Sequence, residues 1–263
     1  MSRVLIAGCG DVGGALGRLL VGAGHQAFGL RRNVRALPPE LEPVAADLGD
    51  PASLAGAVPG EVDVLVYTAA ASGFDDAAYR EAYVRGLGNV LEALDRSRLR
   101  RVLFVSSTGV YGRDDGGWVD EDSPSLPSGF SGRRLLEGEA VAASAGVPAV
   151  SVRFGGIYGP GRTRLIDRVR SGAGCAGNPV LWTNRIHRDD CAGVLHHLVE
   201  LDRPRASYIG VDCEPAPQCL VMDWLADRLG VAHPPRTGPG QRKRGGSKRK
   251  TTAEGPDLFG GRS

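Results

Sequence analysis

The six residues Gly8-Cys9-Gly10-Asp11-Val12-Gly13 constrain this chain more than any other stretch. They stand between a short apolar run, Val4-Leu5-Ile6-Ala7, and a segment in which Ala15, Leu16, Leu19 and Leu20 recur at helical spacing up to Gly24. A continuous apolar run of that length suits a parallel strand buried on both faces. Gln26 to Leu30 reads as a second strand. Strand, tight turn, helix and strand thus fit within about 30 residues, the size of one βαβ unit.

The alternation continues. Val44 to Asp47 is expected as a third strand, Pro51 to Val58 as a short helix and Val62 to Thr68 as a fourth strand. A helix is expected over 75–96, where Ala78, Tyr79, Ala82, Leu87, Val90, Leu91 and Leu94 share helical spacing. A strand at Arg101 to Val105, a helix over 131–145 and a strand from Ala149 to Phe154 follow. Strands alternating with helices predict an α/β fold with a doubly wound, mostly parallel sheet, a Rossmann fold, over 1–154. Residues 155–235 are less regular, with helices expected at Ile166 to Arg170, Cys191 to Leu201 and Val221 to Leu229, and a strand at Tyr208 to Val211. They read as a smaller C-terminal substrate lobe, some of whose elements return to the core.

The formal net charge of +2 conceals a division. Residues 1–235 hold 24 Arg against 28 acidic residues, net −4; residues 236–263 hold 5 Arg and 3 Lys against 2 acids, net +6. All the lysines, Lys243, Lys248 and Lys250, lie in that tail. Its Pro/Gly-rich, basic composition without apolar periodicity predicts a segment that cannot offset its ordering entropy. The clusters Arg242-Lys243-Arg244 and Lys248-Arg249-Lys250 lack interleaved aromatic residues, so a nucleic-acid partner is not expected. No apolar run approaches the roughly 18 residues of a membrane span, and the opening residues lack the order of a secretory signal. A cytoplasmic protein is expected. Its five scattered cysteines, without C-x-x-C or Cys/His spacing, read mostly as buried thiols and not as a metal site.

Placed between strand and helix, the glycine run has the pattern G-x-G-x-x-G of a dinucleotide-binding turn. Gly8 permits the tight turn, Gly10 lets the backbone approach a diphosphate, and Gly13 lets the helix pack on the strand. Backbone N–H groups around Cys9, Asp11 and Val12, at the positive end of the helix, would hold the phosphates. The second strand ends in Leu30-Arg31-Arg32-Asn33, with two guanidinium groups and no acid. An acid there would grip a ribose 2′-OH, whereas arginines suit a 2′-phosphate. NADP(H) is therefore expected over NAD(H). Asp47, followed by Leu48, stands where a side chain could meet the adenine amino group or cap the turn before Pro51.

Four further stretches come in one order. Thr68-Ala69-Ala70 follows the fourth strand. Val105-Ser106-Ser107-Thr108-Gly109-Val110-Tyr111-Gly112 follows the fifth, Arg153-Phe154-Gly155-Gly156-Ile157-Tyr158-Gly159-Pro160-Gly161 the sixth, and His187-Arg188-Asp189-Asp190 precedes a late helix. This series resembles the extended and atypical short-chain dehydrogenase/reductases, the epimerase/dehydratase-like proteins, and above all their YeeZ-like branch, over residues 3–230 or so. The resemblance implies a small-molecule substrate, a second copy of the chain as a partner, and a catalytic hydroxyl at Ser107. It places Thr68, Ala69, Ala70, Ser106 and Phe154 beside the cofactor and Thr108, Tyr158 and His187 beside the substrate.

The same resemblance exposes a departure. Enzymes of the superfamily carry Tyr-x-x-x-Lys, a phenol whose pKa a neighbouring lysine lowers. Here the stretch reads Phe130-Ser131-Gly132-Arg133-Arg134-Leu135-Leu136-Glu137, which sets Phe130 at the tyrosine position and Arg134 at the lysine position. With no lysine before Lys243, no such pair exists in residues 1–240. Arg134 could still hold ribose hydroxyls, but an arginine carries no proton at neutral pH. Tyr111, or Tyr158, is the candidate replacement acid, with Arg134 or Arg162 as its cationic neighbour. His187 is expected to bind substrate or, more simply, to anchor the lobe through Asp190. Trp118, in the 113–123 stretch, is expected over the substrate mouth. An NADP-dependent oxidoreductase or epimerase/dehydratase is the first expectation; a non-catalytic NADP(H) sensor is the alternative. The tail stretch Gly246-Ser247-Lys248-Arg249 resembles the branch's ending, but Thr251 to Ser263 does not.

Overall fold

A computed structural model describes residues 1–113, 115–238 and 249–250. Seven parallel strands form its centre, in the order Glu42–Ala45, Gln26–Arg31, Arg3–Ala7, Val64–Tyr67, Arg101–Ser107, Ala149–Phe154 and Ser207–Gly210. The first half supplies β1 (Arg3–Ala7), α1 (Asp11–Gly22), β2 (Gln26–Arg31), β3 (Glu42–Ala45), α2 (Pro51–Leu54), β4 (Val64–Tyr67), α3 (Asp76–Arg80), α4 (Gly86–Ala93) and β5 (Arg101–Ser107). Then come β6 (Trp118–Val119), α5 (Phe130–Ala143), β7 (Ala149–Phe154), β8 (Gly156–Tyr158), α6 (Arg164–Arg170), β9 (Cys175–Ala176), β10 (Trp182–Thr183) and β11 (Arg185–His187). The chain continues through α7 (Arg188–Glu200), β12 (Ser207–Gly210), β13 (Ala216–Pro217), α8 (Gln218–Leu229), β14 (Arg236–Thr237) and β15 (Arg249–Lys250).

The fold is the expected doubly wound α/β sheet. Val4 to Ala7, Val64 to Tyr67 and Val102 to Phe104 are fully buried, as both faces of the sheet are covered by helices. One layer packs α4 and α5 through Leu87, Val90, Leu91 and Leu135; the other packs α1 and α7 through Leu16, Leu20, Leu195 and Val199. Arg101, 5% exposed, donates to the Leu198 and Asp202 carbonyls and so holds the C-terminal end of α7 against the sheet. The strand order reverses between β1 and β4, where such folds bind ligands at the carboxyl ends of their strands.

The helix expected over 75–96 is three pieces: α3, one π-turn at Glu81–Arg85, and α4. The cause is Tyr67. Its phenol, fully buried at the end of β4, donates to the Ala82 carbonyl, and a Cβ on Gly86 would fall 2.6 Å from that phenol oxygen. A side chain inserted into the ladder widens the turn.

Residues 155–235 divide between two settings. β12 pairs with β7 at the sheet edge and α7 covers the sheet, whereas α6, α8 and the short strands enclose a small core of Val169, Cys175, Cys219, Met222 and Ala226. Cys175 and Cys219 are disulfide-bonded, with Cα atoms 5.5 Å apart. This corrects the expectation of mostly buried thiols: Cys9 and Cys191 are buried and free, and Cys213 is exposed. The unordered tail expected from 236 meets two short pairings, β14 with β9 and β15 with β6. Residues 239–248, with Arg242-Lys243-Arg244, Lys248 and the Gly246-Ser247 stretch, and residues 251–263 lie outside the described residues. No helix among the described residues is long and apolar enough to cross a membrane.

Candidate functional site

The three glycines of the opening turn differ in what surrounds them. Gly8 has φ +75, and a Cβ there would fall 2.4 Å from the Ala69 Cα. A Cβ on Gly13 would fall 2.8 Å from Thr68 Oγ1 and 2.9 Å from Ile6 Cγ2. One on Gly10 would meet nothing nearer than the Gly8 carbonyl oxygen at 3.8 Å. Gly8 and Gly13 are therefore demanded by packing, whereas Gly10 faces open space. Thr68 secures the contact by donating to the Gly8 carbonyl at 3.1 Å. Gly10 gives α1 no side-chain cap, which leaves the first-turn N–H groups from Asp11 to Gly13 open to a ligand. These features fit a dinucleotide diphosphate. Cys9 and Val12 point into the core, and burial pushes the Cys9 thiol up to about 11.

At the end of β2 the Arg31 guanidinium donates to the Cys9 carbonyl at 3.3 Å and so lies against the glycine turn. Arg32 is 78% exposed, with Asp47 3.7 Å away. The Asp47 carboxylate accepts from the Gly49 N–H, a turn-capping bond, while α2 is capped by Asp50. Leu48 packs against the core and its carbonyl accepts from Asn89. Ala71, directly after Ala70, gives its N–H to the Tyr83 phenol.

Ser106 and Ser107, adjacent at the end of β5, face opposite ways as strand residues must. Ser106 is buried and donates to Glu139 at 2.6 Å. Glu139 pairs with Arg153 at 2.7 Å, and Arg153 donates to the Tyr111 phenol oxygen at 2.8 Å. Tyr111 is only 1% exposed, and burial raises its phenol pKa despite that arginine. Its cationic neighbour is thus Arg153, not Arg134 or Arg162, and the raised pKa does not suit a neutral-pH acid. Phe154, 1% exposed, packs on Gly210 and Ile186, so its ring is not offered to a ligand.

Ser107 opens the other way, into a cavity of about 1480 Å³ between the carboxyl end of the sheet and α6, β10 and α8. Its oxygen accepts from the Gly109 N–H at 3.1 Å, which leaves its proton to be donated. Thr108 lines the same wall but is only 8% exposed. The residues of α5 that reach the cavity are Ser131 and Gly132. A Cβ on Gly132 would fall 2.6 Å from the Gly109 carbonyl, so this first turn of α5 presses on the turn after β5. The positions inferred from the Tyr-x-x-x-Lys pattern point elsewhere. Phe130 packs on Phe74 and Tyr79, with ring centroids 5.2 and 5.4 Å away. Arg134 is held by Asp76 and Glu137 at 2.7 and 2.8 Å, and does not line the cavity. Ser131, the residue after Phe130, takes the cavity-facing place instead, and the letter pattern did not single it out.

Tyr158 lines the cavity and is 46% exposed. His187 does not line it. It caps α7, its Nδ1 accepting from the Asp189 N–H at 3.3 Å, with its ring edge-on to Tyr158. The anchoring contact therefore runs to Asp189, not Asp190. Trp118 lies on β6, 49% exposed, and is not among the cavity residues. Charge pairs also tie the glycine turn to the lobe: Asp11 accepts from Arg162 at 2.8 Å and from Arg188 at 3.1 Å. Arg162 lines the cavity, so dinucleotide turn and cavity adjoin. Away from this site, His25, His196 and Glu200 bring possible metal-ligand atoms within 4.8 Å of one another. His25 Nδ1 accepts from the Ser2 N–H, which leaves its Nε2 protonated and facing Glu200, a donor rather than a ligand.

Glycine turn, switch point and adjoining cavity define a dinucleotide-binding α/β protein with room for a second, smaller molecule. The model of the NAD dependent epimerase/dehydratase family matches residues 4–206, and the chain belongs to that family. It is 31% identical over 265 aligned positions to the 3-diazoavenalumate denitrifying reductase of a Streptomyces species, a match covering 90% of this chain and 84% of the relative. It is 34% identical to Protein YeeZ of Escherichia coli K12 over 59% of this chain, a match spanning 54% of YeeZ. A solved structure from Methylobacillus flagellatus, described as a candidate NAD-dependent epimerase/dehydratase, superimposes with a TM-score of 0.80 at 40% identity, over 96% of this chain and 89% of that one.

Proposed function

We propose that this protein is an NADP(H)-dependent reductase of a small organic molecule held in the cavity beneath Ser107. The observation that carries the reading is the junction of two sites. Arg162 lines the cavity and is hydrogen-bonded to Asp11, the first residue of α1 after the glycine turn. The open N–H groups of Asp11, Val12 and Gly13 would bind the diphosphate; Thr68 and Ala69 stand against the turn, and Ala70, next along the chain, would flank the cofactor. Arg31 and Arg32 would take the 2′-phosphate, with Asp47 and Leu48 flanking the adenosine end. The bound nicotinamide would supply or accept a hydride.

Ser107 and Ser131 are the hydroxyls offered to the reacting group of the substrate. Neither ionises near neutral pH, so they orient and polarise an acceptor by hydrogen bonding without serving as the acid. Tyr111, turned to Arg153, keeps its proton. The site therefore suits acceptors that take the hydride first and a proton afterwards, from Tyr158 on the cavity wall or from water, such as conjugated carbonyl or diazo compounds. The diazo substrate in the Streptomyces relative's name agrees with this. The test is NADPH oxidation against a panel of such acceptors and of unactivated ketones. Turnover confined to the activated acceptors, cut at least tenfold by Ser107→Ala, is the expected result.

A second reading, a non-catalytic NADP(H)-responsive protein, draws on the lack of any lysine before Lys243 and on Phe130 and Arg134 being packed against α3. Tight NADPH binding with no acceptor turned over would establish it in place of the first.

A further inference from the structure

We propose that the Cys175–Cys219 bond is a reversible thiol–disulfide site, opened by a dithiol and closed again by a disulfide, that sets how firmly the α8 wall of the cavity is held. The proposal stands whether or not that cavity belongs to a reductase. The chain builds its lobe in two visits. It makes α6, β9 and β10, leaves for β11, α7 and β12, and returns at β13 and α8. Cys175 on β9 and Cys219 in the first turn of α8 join the two visits, 44 positions apart in sequence. Both belong to the small core whose other buried residues are Val169, Met222 and Ala226. A core of that size depends on its cross-link more than the main sheet does.

Each sulfur stands beside a group that suits its reduced form. β14 pairs with β9 so that Arg236 is in register with Cys175, and its guanidinium donates to the Cys175 Sγ at 3.3 Å. Asp223 holds the same guanidinium through both carboxylate oxygens. A neighbouring cation favours the thiolate, which makes Cys175 the better leaving group. The Cys219 Sγ lies 3.3 Å from the Ala176 carbonyl oxygen, an acceptor that a thiol can use and a disulfide sulfur cannot. Cys219 is also the more exposed of the two, 7% against 1%. One thiolate of the dithiol attacks the Cys219 Sγ; the S–S bond breaks and its electron pair goes to the Cys175 Sγ beside Arg236. The reagent's second thiolate then attacks the reagent sulfur of the mixed disulfide, and the reagent departs as a cyclic disulfide. Cys219 leaves with that electron pair, takes up one of the dithiol's protons and donates it to the Ala176 carbonyl; the other proton passes to solvent. Gln218 and Val221, on either side of Cys219, line the cavity, as do Trp182 and Thr183 of β10, which pairs with β13 directly before α8. Leu165 of α6 lines it too and packs on the same small core. Opening the bond thus frees the first turn of α8 from β9 and loosens one wall of the cavity.

The test incubates the full chain with dithiothreitol at neutral pH without denaturant. The reaction is quenched in acid, and alkylation in denaturant then identifies the thiols formed. Cys175 and Cys219 should both become thiols, and oxidised glutathione should restore the bond. Amide hydrogen exchange should rise about tenfold or more over Cys175–Ala176 and Gln218–Met222 on reduction, with β1, β4 and β5 unchanged. Arg236→Gln should slow reduction about tenfold, whereas Arg236→Lys, which keeps the charge, should stay within about threefold of wild type. Asp223→Asn separates charge from packing: it loosens the grip on Arg236 but keeps the cation, so it should be reduced at least as fast as wild type. Loosening alone would speed reduction in both Arg236→Gln and Asp223→Asn. A bond that opens only in denaturant, or α8 exchange unchanged by reduction, overturns the proposal. So does Arg236→Gln reduced as fast as wild type or faster, or Asp223→Asn reduced as slowly as Arg236→Gln.

Discussion

Replacing each glycine of the opening turn by alanine separates ligand binding from folding. At Gly13 the added methyl would lie 2.8 Å from Thr68 Oγ1 and 2.9 Å from Ile6 Cγ2, inside the packed contact of α1 with β1 and β4. Overpacking of that kind costs about 1–3 kcal/mol, and for a chain of this size 2 kcal/mol lowers Tm by about 4–8 °C. Gly8→Ala is worse. Its methyl meets the Ala69 backbone at 2.4 Å from a left-handed residue, so backbone must move. At Gly10 the methyl meets nothing nearer than the Gly8 carbonyl oxygen at 3.8 Å, so it adds no overpacking. Its stability should fall by less than that of Gly13→Ala. That same methyl would stand where the diphosphate approaches, so NADPH affinity should drop about 10- to 100-fold. Thermal denaturation and fluorescence titration with NADPH read the two effects separately. A Gly10→Ala protein that binds NADPH like wild type, or that melts as early as Gly13→Ala, would refute the reasoning.

Three further outcomes follow from the structure. Arg31→Ala/Arg32→Ala should weaken NADPH binding about tenfold or more while leaving NADH nearly unchanged, since only the 2′-phosphate loses its partners; equal effects on both in parallel titrations would contradict that. Glu139→Gln removes the partner of Arg153, whose side chain is 10% exposed, and should cost about 3 kcal/mol and lower Tm by about 6–12 °C; a Tm within 2 °C or so of wild type would count against the network. Iodoacetamide at pH 8 should label Cys213 in the native protein and spare Cys9 and Cys191, whose burial raises their thiols to about 11 and about 12 so that thiolate is scarce. Denaturation should expose those two, and only reduction should add Cys175 and Cys219.

The sheet was legible because its strands are continuous apolar runs and its first turn needs glycines at fixed offsets. The π-turn was not, since it depends on Tyr67 reaching Ala82, a contact that helical periodicity does not encode. The phase of α5 is written in its small and apolar residues. Gly132, Leu135, Gly138 and Ala142 are its buried face, which brings Ser131 beside the cavity and turns Phe130 toward α3. A motif of two letters four residues apart does not carry that phase. Asp11, Arg162 and Arg188 meet across 151 and 177 residues of sequence, and nothing in a string of charges says which will pair.

Calorimetric titration of the folded chain with NADPH is the most direct trial of the nucleotide site on which the functional reading depends. Saturable heat at one site per chain, with NADPH bound more tightly than NADH, is the result expected. A flat trace with both nucleotides, on protein that melts cooperatively, would contradict it.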